Sequence, residues 1–118
     1  MRIKKARQII KCFTDDTRIR IVNLLEKEPL NVTELCKIIG ASQSSVSKHL
    51  ARLRLTGVVS DKRKGFNVYY ALNESENLDH GKLVSCMIEG LSAVEIKKHD
   101  LDKLTRIKKE RKREVKNV

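Results

Sequence analysis

The stretch Gln43-Ser44-Ser45-Val46-Ser47-Lys48-His49-Leu50-Ala51-Arg52 combines small hydroxyls, an amide and cations, and no acidic residue occurs between Ala41 and Ser60. Wound as a helix, it places Val46, Leu50 and Leu53 on one inner stripe. Ser44, Ser45, Ser47, Lys48, Ala51 and Arg52 then point outward, with Gln43 at the N-terminus and His49 at the flank. Small polar side chains let a helix backbone approach base edges in a major groove, while Lys and Arg reach phosphates or guanine. An ordinary solvated face usually mixes Glu with Lys, so an acid-free face favours a polyanion. A second basic group, Lys62-Arg63-Lys64, falls at a predicted hairpin tip. There it could reach a neighbouring minor groove or the DNA backbone, or simply protect a strand edge. The candidate DNA-contacting residues are thus Gln43, Ser44, Ser45, Ser47, Lys48, His49, Arg52, Arg63 and Lys64. Tyr69 and Tyr70 read as half-buried strand residues rather than base-stacking platforms.

Three thiols could carry a second chemistry. Their odd number and unpaired spacing exclude a disulfide scaffold and favour a reducing cytoplasm. Cys36 shares a stripe with Val32 and Ile39 and reads as core. Cys12 and Cys86 fall at the edges of the apolar arcs of the first and fifth predicted helices. Together they could take a thiophilic metalloid or oxidise, or they could be inert packing residues. No cofactor is otherwise implied. His80 reads as a helix-start surface residue, and His99, near a helix end, as favouring the C-terminal dipole. No nucleophile–base–acid set, phosphate loop or carboxylate pair stands at usable spacing, which argues against an enzyme.

The elements that must position these groups follow from periodicity. At 118 residues and 40% hydrophobic content the chain suits one domain with a core of Ile, Leu and Val. Helices are predicted over 3–13, from the Thr14-Asp15-Asp16 cap to about Lys27, over 33–39, and from Ser42 to about Thr56. In the second, Asp16, Arg20, Asn23 and Lys27 form a polar stripe opposite a wide apolar arc. Two helices joined by a tight Gly turn are a helix-turn-helix signature. β-prone segments 58–63 and 67–72 around Lys64-Gly65-Phe66 make a hairpin wing, with Val68, Tyr70 and Leu72 alternating against Tyr69 and Ala71. A helix over about 79–99 carries Leu83, Val84, Met87, Ile88, Leu91 and Val94 on an arc broad enough to meet both its own domain and a partner subunit. The tail 100–118 continues Leu101, Leu104 and Ile107 into charge. It reads either as an extension of a DNA footprint or as a frayed helix held by pairs such as Arg106…Glu110.

Charge is uneven along this plan. The chain carries 26 Lys plus Arg against 15 Asp plus Glu. Residues 1–72 hold 15 basic and 6 acidic groups (15 − 6 = +9), and 73–102 hold 3 and 7 (3 − 7 = −4). A basic first half points to nucleic acid. No apolar run approaches the ~18 residues of a membrane span, and the basic start is not followed by the apolar stretch of a signal peptide.

Two stretches carry a family resemblance. Asp15-Asp16-Thr17-Arg18-Ile19-Arg20-Ile21 with Leu30-Asn31-Val32-Thr33-Glu34-Leu35 resembles the opening of the ArsR/SmtB winged-helix repressors. Ser42 to Arg54 is similar to that family's recognition helix, and Gly57-Val58-Val59 and Gly65…Tyr69-Tyr70-Ala71-Leu72 match its wing. The resemblance covers about 14–72. It implies a mainly α fold with a small β-hairpin (α+β), a single winged helix-turn-helix domain over 1–118. It further implies a two-fold homodimer through the first and fifth helices (about 3–13 and 79–99). The implied partner is double-stranded DNA at an inverted-repeat operator, released by an effector. A winged-helix nucleic-acid or protein adaptor without effector control is the alternative. The chain departs from the family at both inherited metal sites. The two thiols of the arsenic site are Asn31 and Thr33 here, and neither Asp79-His80 nor His99-Asp100 matches the fifth-helix Asp-x-His site.

Overall fold

Caps and apolar stripes set the element order in the structure, a computed structural model that describes residues 1–73, 78–91 and 98–116. The helices are α1 (Ile3–Lys11), α2 (Asp16–Lys27), α3 (Val32–Ile39) and α4 (Gln43–Leu55). A hairpin of β1 (Val59–Lys64) and β2 (Asn67–Leu72) follows, then α5 (Leu78–Leu91) and α6 (Lys98–Lys116). Asp15 caps α2 by accepting the Arg18 N–H, which holds its carboxyl below the usual range. α2 stops at Glu28, whose extended backbone suits the Pro29 that follows. A reciprocal capping box opens α3: Asn31 accepts the Glu34 N–H and Glu34 accepts the Asn31 N–H. Ser42 caps α4 through the Ser45 N–H.

Ile9, Ile21, Leu24, Leu35, Ile38, Leu50 and Leu53, contributed by α1, α2, α3 and α4, are fully buried in one core. Each such side chain is worth ~1.5–3 kcal/mol relative to exposure, so they anchor α4 from beneath. The hairpin is antiparallel, pairing Val59 with Leu72 and Lys64 with Asn67. Leu30 and Tyr70 exchange two backbone hydrogen bonds (3.1 and 2.8 Å), giving β2 a one-residue third neighbour. The expected one-sided burial of β2 is not observed. Val68 to Leu72 are all half-buried, because α2 packs on the strand and Arg111 of α6 stacks 5.2 Å from the centre of the Tyr69 ring.

The C-terminal segment departs most from expectation. α5 is described to Leu91 and α6 from Lys98, so His99 lies in the first described turn of α6. Val94 lies outside the described residues. α6 is neither frayed nor free. Leu104 and Ile107 are buried against α2 and α3, and each end of the contact is clamped by an arginine. At one end Asp100, wholly buried, accepts Arg20 Nε and Nη2 at 2.9 and 2.7 Å. That hydrogen bonding raises the Arg20 pKa above its ordinary value. Arg20 Nη2 also reaches the Ile39 carbonyl (3.4 Å), and His99 sits 3.2 Å from Asp100. At the other end Arg111 donates to both Glu34 oxygens, to Glu28 and to the Pro29 carbonyl. Lys108 approaches Glu28 at 3.7 Å. Burial is the largest single influence and works against the Arg111 charge, but the Glu34 hydrogen bonds together with the attraction of Glu34, Tyr69 and Glu28 outweigh it and hold its pKa above the ordinary value. The middle of the polar α2 stripe is therefore covered: Arg20 is paired with α6 and Asn23 is buried, while Asp16 and Lys27 at its ends are exposed.

Candidate nucleic-acid interface

α4 presents the face its periodicity requires. Val46, Leu50 and Leu53 are buried, while Gln43, Ser44, Ser47, Lys48, Ala51 and Arg52 are exposed. Ser45 is half-buried, its N–H committed to Ser42. At the far end Gly57 closes the helix for two reasons. Its φ of +81° suits glycine, and a Cβ there would stand 2.8 Å from the His80 ring.

His49 turns away from this face. It is half-buried, and its Nδ1 accepts from Arg18 Nη1 at 3.2 Å, which puts the ring proton of the neutral form on Nε2. Asp15 lies 3.9 Å from the same nitrogen. Arg18, which sequence reasoning passed over, also donates to the carbonyls of Lys11 and Cys12 at the end of α1. Its buried guanidinium therefore ties α1 to α4, and His49 acts in that tie. The (i, i+3) spacing of Asp15 and Arg18 at a cap was the available signal.

Cys12 is not at an arc edge. It is 1% exposed, and its sulfur lies 3.1 Å from Thr56 Oγ1. The Thr56 hydroxyl proton is directed at the Arg52 and Leu53 carbonyls (3.0 and 3.1 Å), so the thiol is the donor. His80 is likewise no surface residue: its Nε2–H donates to the Thr56 carbonyl at 2.7 Å. The end of α4 is thus joined by side chains to α1 and α5. Cys86 is exposed on α5, and Cys36 is half-buried against the core.

On the hairpin, Lys62, Arg63 and Lys64 are exposed. Arg54 of α4 pairs with Asp61 of β1 at 3.1 Å, which tethers wing to helix and neutralises the only acid of β1. Gln8 and Lys11 of α1 line a cleft of about 690 Å³ with Lys48, Ala51, Arg52, Leu55 and Thr56. They extend the basic surface onto α1, a juxtaposition with no local signal in the sequence.

No group of three or more His, Cys, Asp or Glu is arranged to hold a metal ion among the described residues. At the segment where the resemblance would put two thiols, Asn31 is spent capping α3. Asn31 and Thr33 do not fit a thiophilic ion.

A helix-turn-helix whose second helix is backed by a buried stripe and followed by a tethered two-stranded wing defines the winged helix-turn-helix class. Residues 15–61 match the model of the bacterial regulatory protein, arsR family. The transcriptional repressor PagR of Bacillus anthracis is 35% identical over 74 residues, which are 62% of this chain and 74% of that protein. The chain belongs to the arsR family. It is also 46% identical over 66 residues to the arsenic resistance transcriptional regulator ArsR1 of Pseudomonas putida, 55% of this chain. The match spans only about half of the arsenic regulators' length, 52% of that protein and 57% of the Escherichia coli arsenical resistance operon repressor. The structure of HlyU from Vibrio cholerae superposes with a TM-score of 0.63 at 34% identity, covering 75% of this chain and 88% of that one.

Proposed function

We propose that this protein is a sequence-specific, DNA-binding transcriptional repressor acting in the cytoplasm as a homodimer on an inverted-repeat operator. One observation carries the reading: the exposed face of α4 is hydroxyl-rich and basic with no acid, and a buried stripe fixes its direction. Gln43, Ser44 and Ser47 read base edges, and Lys48, Arg52, Arg63 and Lys64 neutralise phosphates. Family membership and the tethered wing support the assignment. Removing one phosphate contact per half-site, by Lys48→Ala or Arg52→Ala, weakens binding to every sequence and lowers the salt slope by ~0.9 for each half-site. Changes at Gln43, Ser44 or Ser47 shift which sequence is preferred in a selection from random duplexes. If both alanine variants keep wild-type affinity and salt slope, the interface is misassigned. A footprint without an inverted repeat would leave only an adaptor module.

Release by a thiol-directed effector, a thiophilic metalloid or an oxidant, is the finer part of the proposal. Cys86 is open to attack, whereas Cys12 becomes reachable only when its contact with Thr56 opens. Reaction at Cys12 would loosen α1 from the end of α4. The double variant Cys12→Ser, Cys86→Ser should stay on DNA at arsenite or peroxide concentrations that release the wild type, measured by fluorescence anisotropy. Equal release by both proteins would remove the thiols from the mechanism.

A further inference from the structure

Phe66 is 100% exposed, beside three exposed cations, at the tip of the wing. Lys64 pairs with Asn67, so the loop is only Gly65-Phe66. Gly65 takes φ +63°, the glycine-first pattern of a tight two-residue hairpin turn. Such a turn leaves the following side chain no neighbour to fold onto. The base of the hairpin is fixed, since Val58 and Val59 are buried and Leu30 and Tyr70 exchange two backbone hydrogen bonds.

Resting on the DNA-binding reading above, we propose that Phe66 is an apolar wedge that enters the minor groove beside the major-groove segment met by α4. Lys62, Arg63 and Lys64 hold the flanking phosphates. The minor groove is narrow, about 6 Å, and walled by sugars, so a flat apolar ring can enter it edge-on and wedge against a base step. Apolar wedges of this kind part or unstack base steps and favour the steps that deform easily. The ring would therefore add affinity without neutralising a phosphate, and would add a preference at positions outside the α4 contact.

The test uses the full chain and a duplex recovered by selection with the wild-type protein from a random pool. Phe66→Ser should lower affinity about tenfold to a hundredfold, the worth of burying such a ring, with an unchanged salt slope. Lys64→Ala should instead reduce the slope by ~0.9 for each half-site. Phe66→Leu, still an apolar wedge, should recover most of the affinity. Replacing flanking G·C pairs by inosine·C, which removes only the minor-groove amino group, should change wild-type affinity and leave Phe66→Ser unaffected. If Phe66→Ser binds within about twofold of wild type while Lys48→Ala and Arg52→Ala are weakened, the wedge is wrong and the DNA-binding reading survives. If Lys48→Ala and Arg52→Ala are also without effect, both fall together. Phe66-dependent capture of the protein by vesicles containing phosphatidylglycerol, without an effect on DNA, would overturn the proposal in favour of a membrane surface.

Discussion

Asp100→Ala should cost ~3–5 kcal/mol of unfolding free energy, read from the urea midpoint. The carboxylate is wholly buried and meets Arg20 through two hydrogen bonds, so its removal strands a largely covered guanidinium. Coulomb attraction alone does not set this loss; the larger part is the cost of leaving one charge unpaired away from water. Two companions separate these causes. Asp100→Asn keeps one acceptor and should lose less. Arg20→Met with Asp100→Leu removes both charges and should be more stable than Asp100→Ala, since buried ion pairs are replaceable by packed apolar groups. The single variant should also expose α6 to trypsin, because its first turns would keep only the exposed Lys103 bonds to the Lys37 and Ile38 carbonyls, with the Arg111 clamp far along the helix. An Asp100→Ala protein with wild-type midpoint and an uncut α6 would show that this clamp does not hold the helix.

Leu91→Glu should convert a dimer to a monomer and lower operator affinity by roughly 10²–10⁴, the advantage of binding two linked half-sites. Within one chain, α5 packs on α1 and α2, yet Leu83, Met87, Ile88 and Leu91 remain half-buried. Beside them on α1, Ile3 is 80% and Ile10 44% exposed. A second copy related by a two-fold axis would cover this surface and set two α4 helices about one DNA turn apart, ~34 Å. The substitution lies away from the basic face, so the monomer should keep its non-specific salt dependence per half-site. Sedimentation at low concentration measures the assembly, and an unchanged urea midpoint at the monomer level shows that folding is spared. A wild-type chain that sediments as a monomer would remove the dimer from the proposal.

Local rules make much of this molecule legible in its amino-acid order. The burial of Val46, Leu50 and Leu53 and the exposure of Ser44, Ser47, Lys48 and Arg52 follow from a 3.6-residue period alone. Asp15 and Ser42 announce their helices because a short polar side chain must meet the first unpaired N–H groups. Gly65 marks a tight hairpin for an equally local reason, its positive φ.

What the tertiary structure alone decided lies in contacts between residues far apart in the chain. His49 sits at a flank by its position on α4, but only the approach of Arg18 turns it inward. Both faces of β2 are half-buried because α2 and α3 pack on the strand and Arg111 of α6 reaches over the Tyr69 ring. The alternating pattern describes the strand and carries no information about a distant helix. Arg20 and Asp100 are separated by 80 residues, and each taken alone looks like an ordinary surface charge. Periodicity reports which side of a helix is polar. Whether water or a partner satisfies that side depends on long-range packing, and here Arg20 and Arg111 of the apparent surface became the clamps that hold α6 in place.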